Sequence, residues 1–183
     1  MQSLIINATL EGLAPLTWGG HITEPKKTGE KHDDYESRTW MKRAHIDANG
    51  NAYLISLAIK NCLDTIAQHL SEGVPGGGAS KYTKYFQRGV QSFTPLVVTD
   101  LNNKPLKLDD LTRYTMFVPA DGKRGGGTRV TRSYPTAMEW RTQIELVVIE
   151  RKINAELVKR YLTEAGLFIG LGSFRAENRG IHG

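Results

Sequence analysis

Cysteine is almost absent. Cys62 is the only one in 183 residues, so neither a disulfide framework nor a thiolate zinc site can be assembled within one chain. It falls inside an apolar helical pattern, and a reducing, cytoplasmic setting is expected. No apolar run approaches the roughly 20 residues that span a bilayer. The start, Met1 to Asn7, lacks the charged region of a signal peptide, so neither membrane insertion nor export by that route is expected. Repeats of solenoid or propeller length are missing. Charge of either sign is not strongly in excess: 24 Lys and Arg against 19 Asp and Glu leave +5 and a pI near 9.3, which suits a polyanionic partner without requiring one. What remains is a chain of 39% hydrophobic content, enough for one well-cored domain with insertions at about 19–53 and 100–135.

Hydrophobic periodicity predicts the elements. Ser3 to Glu11 alternates, with Leu4, Ile6, Ala8 and Leu10 on one face, as in a half-buried strand. Residues 21–34 are polar and aperiodic, an inserted loop. Asp33 or Asp34 would cap a short helix reaching Ala44, and Asn49-Gly50 between His45-Ile46 and Ala52-Leu54 is a strong hairpin signal. Spacings of three and four predict a helix from about Ser56 to Leu70. A short basic helix follows around residues 81–88, then a strand from Phe93 to Thr99 interrupted by Pro95 near its start. Tyr114–Val118 and Thr128–Arg132 read as arms of a hairpin with a glycine-rich tip. Thr142 to Val148 is the clearest strand, and Asn154 caps a helix to Ala165. A glycine-rich loop and a short strand near Ser173 close the series. With the insertions removed, the order predicts an α+β fold: a ferredoxin-like, RNA-recognition-motif-like split βαβ sheet with an inserted hairpin thumb and long loops.

Three groups of residues point toward phosphate or bases. The hairpin tip carries Lys123, Arg124, Arg129 and Arg132 against one acid, Asp121, the composition a flexible finger needs to track a phosphate backbone; the alternative is a solvated tip. Lys81, Lys84 and Arg88 accompany Tyr82, Tyr85 and Phe86, rings that either stack on exposed bases or pin the helix to the core. In Gly166-Leu167-Phe168-Ile169-Gly170-Leu171-Gly172-Ser173-Phe174-Arg175, Gly170 and Gly172 would let a backbone approach closely beside the Arg175 fork, or else Gly166 caps the helix and the others ease a turn. Gly73 to Lys81 is not a P-loop, because Ala79 and Ser80 intervene before the lysine. The acids at 30, 33, 34 and 36 lack a second cluster and are interleaved with lysines. The histidines at 21, 32, 45, 69 and 182 show no ligand spacing, so neither metal nor cofactor is expected.

The opening strand ending in Gly12-Leu13-Ala14-Pro15-Leu16, the long basic hairpin between middle strands and the run Gly166–Arg175 resemble the RAMP superfamily, RNA-recognition-motif-like proteins that include subunits of CRISPR effector complexes. Gly29–Trp40 and Val118–Gly125 are similar to segments of small RAMP-like proteins of phages and prophages. The resemblance implies single-stranded nucleic acid lying across the sheet, held by the glycine-rich loop and the thumb, with subunits stacking head to tail as a homo-oligomer. It departs from the family at the end, where relatives usually continue through another strand. The resulting expectation is a non-catalytic binder of single-stranded DNA or RNA acting in phage replication, recombination or strand protection. Its rivals are a metal-independent endoribonuclease using His21 or His45, and a protein-directed module such as an inhibitor of a host defence complex.

Overall fold

The computed structural model describes residues 3–120 and 127–182. The alternating start forms strand β1 (Leu4–Glu11), and after a proline-containing turn comes a two-residue strand β2 (Leu16–Thr17). Helix α1 (His32–Thr39) begins earlier than its acids suggest: Lys31 occupies the N-cap position, Asp33 and Asp34 lie in the first turn, and a 3-10 turn, Trp40–Arg43, carries the chain onward. The Asn-Gly hairpin forms as predicted, joining β3 (His45–Ile46) to β4 (Ala52–Leu54). Helix α2 (Ser56–Leu70) has the predicted bounds and buries Ile59, Cys62, Leu63 and Ile66.

Helix α3 (Tyr82–Gly89) runs directly into β5 (Val90–Gln91), and β6 (Leu96–Thr99) starts only after Pro95. Phe93 is therefore outside the strand, which Pro95 cannot join because it has no N–H to donate. The hairpin arms β7 (Thr112–Pro119) and β8 (Arg129–Ala137) are longer than the apolar runs within them. Strand β9 (Arg141–Val148) and helix α4 (Ala155–Phe168) complete the described elements, with the Asn154 side chain accepting from the Leu157 N–H as an N-cap.

One sheet has the order β1-β9-β6-β4-β3, with β5 beside the far end of β9. Its pairings are antiparallel. β9 lies between β1 and β6, so those two strands run parallel to each other, with α2 in the segment between them. Ile144, Leu146 and Val148 of β9 join Leu96 and Val98 of β6 against Ile59, Leu63 and Ile66 of α2 and Val158, Tyr161 and Ala165 of α4 in one buried cluster. The fold is thus mixed α+β, with the two long helices on one face of this sheet. A second sheet, β2-β8-β7, is the long hairpin with β2 at its base.

Two sequence expectations at the C-terminus are corrected. Helix α4 continues through Gly166 to Phe168, and Gly170 rather than Gly166 ends it, its N–H bonding the Ala165 carbonyl at 2.9 Å with φ +75°. Residues near Ser173 form no strand. They cross β2 as a loop in which the Ser173 N–H meets the Thr17 carbonyl at 2.9 Å, followed by a 3-10 turn over Ala176–Asn178.

Candidate nucleic-acid interface

Register assigns the hairpin two faces. Tyr114, Met116 and Val118 share one with Val130, Arg132 and Tyr134; Arg113, Thr115 and Phe117 share the other with Thr131 and Ser133. Among the described residues β8 pairs on its second edge only with β2, at Thr136 and Ala137. Side chains from the α1 region cover the rest of that edge. Glu36 accepts the Ser133 N–H at 3.0 Å, Arg43 Nε donates to the Ser133 carbonyl at 3.1 Å, and His32 Nε2 meets the Thr131 carbonyl at 2.9 Å. Glu36 is 2% exposed and its other oxygen takes Arg43 Nη2 at 3.0 Å. Of the acids that in sequence raise the question of a metal site, Glu30 and Glu36 are engaged as anchors, while Asp33 and Asp34 are exposed in the first turn of α1. Glu30 takes a forked pair of bonds from Arg38, at 2.6 and 2.9 Å, which hold its pKa down to about 2, and Glu24 bridges Arg38 and Lys42. Among the described residues no three His, Cys, Asp or Glu side chains come together as a metal set.

The opposite face receives the tail. Phe174 packs edge-on against Tyr134 at 4.9 Å and Tyr114 at 6.0 Å, and His182 lies 4.7 Å from Tyr114. Below them Thr17 Oγ1 sits 3.0 Å from Thr136 Oγ1 and 2.9 Å from His182 Nδ1, a buried polar junction joining β2, β8 and the tail. Gly172 makes the crossing possible. Its φ of +84° is left-handed, and a Cβ there would come within 2.9 Å of the Thr17 carbonyl and the Leu16 side chain. The glycine-rich run and the base of the thumb therefore meet. Arg175, however, is committed: Nε donates to Glu177 at 2.9 Å and Nη1 to the Gly172 carbonyl at 3.1 Å.

Of the hairpin cations, Lys123 and Arg124 lie outside the described residues. Arg129 is exposed, and Arg132 Nη2 reaches along the strand to the Ala120 carbonyl at 2.9 Å. Phe117, 63% exposed on the face that Arg129 shares and Arg132 does not, is a ring that sequence reading passed over. The signal for it was present, because alternation places it in the same row as Arg113 and Thr115.

The α3 cluster stands elsewhere. β5, which continues α3, pairs with Val147 and Val148, whereas the hairpin enters β9 at Arg141. Eight residues of strand separate the two ends, about 25 Å. Lys81 occupies the N-cap position and donates to Ser71 Oγ at 2.6 Å. Lys84 and Lys152 each lie 5.3 Å from the Tyr85 ring centre, and the Ser80 hydroxyl above all, aided by Lys152 and Lys84, holds that phenol below its ordinary pKa. Lys152 is a cation the sequence did not single out. Tyr82 is half-buried, edge-on to Tyr161 at 6.3 Å, and Arg88 is exposed. Phe86 is a correction: it is fully buried, stacked on Tyr161 at 4.4 Å, and has no face left for a base.

The sheet face away from the helices carries Ile5, Asn7, Thr9 and Glu11 of β1 beside Val147, Glu145, Gln143 and Arg141 of β9, with Glu11 paired to Arg141. Neither strand offers it an aromatic ring, and the face is not basic, so the resemblance's picture of a strand gripped across the sheet finds no cationic track there. His45 lies at its margin, 5.6 Å from Tyr53, with Nδ1 buried and unpartnered, while His21 is exposed. Comparison with models of known protein families finds no match, and comparison with curated proteins finds none either.

Proposed function

We propose that the protein is a sequence-independent binder of single-stranded nucleic acid that grips the strand with the β7–β8 hairpin and performs no chemistry on it. The observation that carries this is the hairpin itself: from Thr112 to Ala137 five cations, Arg113, Lys123, Arg124, Arg129 and Arg132, face one acid, Asp121. Its base is anchored by Glu36 on the β8 edge and by Phe174 on one face. Such an arrangement neutralises phosphates without a fixed base readout, and Phe117 offers one ring for stacking. In this reading Lys81, Tyr82, Lys84, Tyr85 and Arg88 form a second contact at the opposite end of β9 from the base of the hairpin, while Gly170, Gly172 and Arg175 shape the tail that braces the thumb. The succession β1, α2, β6, β9, α4 is read as the split βαβ plan of ferredoxin-like and RAMP-type proteins, with the fourth strand's place beside β1 open. A role in phage replication, recombination or strand protection, with several copies on one strand, accords with it.

The test is a salt titration of binding to a labelled single-stranded oligonucleotide. The logarithm of affinity falls linearly with the logarithm of salt, by about 0.7 per neutralised phosphate, and replacing Arg129 and Arg132 by alanine reduces that slope by about 1.4. Absence of binding at low salt overturns the proposal. A second reading, a metal-independent endoribonuclease, is favoured by one observation, the unpartnered His45 Nδ1 beside Tyr53. RNA cleaved in the presence of chelator, and spared by His45→Ala, would establish it.

A further inference from the structure

Among the described residues the strand edges at the margins of the two sheets are not alike. The β8 edge is covered by Glu36, Arg43 and His32. The β7 edge is bounded by Arg113 and Pro119, and β3 has only two residues; charges, prolines and brevity are the usual means of blunting an edge. β1 has none of these. It is eight residues long, contains no proline, lysine or arginine, and its single charge, Glu11, is paired with Arg141.

Which backbone groups it offers follows from one hydrogen bond. The Gly12 N–H donates to the Trp140 carbonyl at 3.0 Å, and Gly12 stands opposite Trp140 by continuation of the β1–β9 register. Hydrogen-bonded pairs alternate in an antiparallel ladder, so Leu10, Ala8, Ile6 and Leu4 bond inward to β9. Ile5, Asn7, Thr9 and Glu11 direct their N–H and C=O groups outward. Beneath this edge, between β1 and α4, runs an open, mainly apolar groove of about 610 Å³ whose rim includes Leu13, 84% exposed, and Leu167, 56% exposed.

We infer that this edge and groove are a two-fold interface for a second copy of the chain, β1 pairing antiparallel with β1. Two observations select that occupant. A molecule carrying +5 approaches its own copy most readily where like charge does not accumulate, and the charged side chains lining the groove are few and of both signs: Glu11, which is paired with Arg141, Glu156 and Lys159. A nucleic acid or an acidic segment would find no surplus cation there. The strand is also self-complementary about Ala8. Centred there, Ile5 meets Glu11 of the second copy and Asn7 meets Thr9, so every outward group finds a partner, while Ile6 opposes Leu10 on the groove side. Ala8, the smallest side chain of that row, falls on the axis. The contact closes on itself, so it yields a dimer rather than an open filament, and it places two hairpins in one particle.

The test uses the full chain, freed of nucleic acid by nuclease and high salt so that copies gathered on a shared strand are not counted. Sedimentation over a range of concentration shows a monomer–dimer equilibrium. Thr9→Pro removes one outward N–H while sparing every β1–β9 hydrogen bond, and weakens the dimer at least tenfold with an unchanged circular dichroism spectrum. As a measurement that does not depend on that variant folding, Ala8→Cys forms an intermolecular disulfide under mild oxidation, because residues opposed at the axis are non-hydrogen-bonded neighbours about 4.5 Å apart at Cα. Asp64→Cys on α2, away from this edge, does not. A monomer at all concentrations, or a dimer indifferent to Thr9→Pro whose Ala8→Cys form stays uncrosslinked, overturns the inference. Neither result touches nucleic-acid binding, which is scored separately.

Discussion

Replacing Glu36 by alanine tests whether α1 anchors the thumb. The carboxylate is buried and serves two donors, Arg43 Nη2 and the Ser133 N–H, each at 3.0 Å. Removing it leaves Arg43 without its counter-ion and orphans a buried backbone donor. Breaking a buried pair from one side costs about 3–5 kcal/mol, of which the orphaned N–H accounts for about 1–3 kcal/mol. Arg43 keeps its bond to the Ser133 carbonyl and its place over the Tyr134 ring, so the lower end, about 3 kcal/mol, is expected. With a urea dependence of about 2 kcal/mol per molar, the midpoint of unfolding falls by about 1.5 M at constant slope. Arg43→Ala in the same background costs less than it does alone, because the pair is already broken, with a coupling of about 1–3 kcal/mol. A loss below about 0.5 kcal/mol, or equal costs for Arg43→Ala in both backgrounds, would refute the assignment of Glu36 as the anchor.

Two further outcomes follow from the tail and the core. Gly172→Ala places a Cβ against the Thr17 carbonyl at a left-handed φ; it costs about 1–3 kcal/mol and opens residues 173–182 to proteolysis well before the rest of the chain. Burial pushes the Cys62 thiol up to about 12, and burial with the nearby Glu72 carboxylate does the same for the Tyr161 phenol. The folded state therefore retains protons the unfolded chain has released. Stability is whole below the unfolded thiol value near 8.5 and declines as pH rises toward 12, by up to about 1.4 kcal/mol per pH unit for each group. Cys62 also stays unlabelled by thiol reagents until denaturant is added, and prompt labelling of the native protein would contradict its burial.

The periodicities of 2 and 3.6 determined β1, α2, β9 and α4 from the sequence alone, because each of those segments packs one face against the core and so must repeat its apolar residues at the period of its backbone. Asn49-Gly50 determined a turn through local chemistry in the same way. What crosses long distances in the chain was decided only by tertiary structure. Lys81, Lys84 and Arg88 look like one face of a basic helix, yet Lys81 sits before its first turn, and the cluster stands at the far end of β9 from the hairpin. Phe86 carries the same weight in composition as Tyr85 but is stacked on Tyr161, some 75 residues later. Glu36 acquires its role from a partner chosen by the fold, the Ser133 N–H on β8. The open edge of β1 is likewise invisible in one dimension, since a strand's sequence records which face is buried and not whether a neighbour stands beside it.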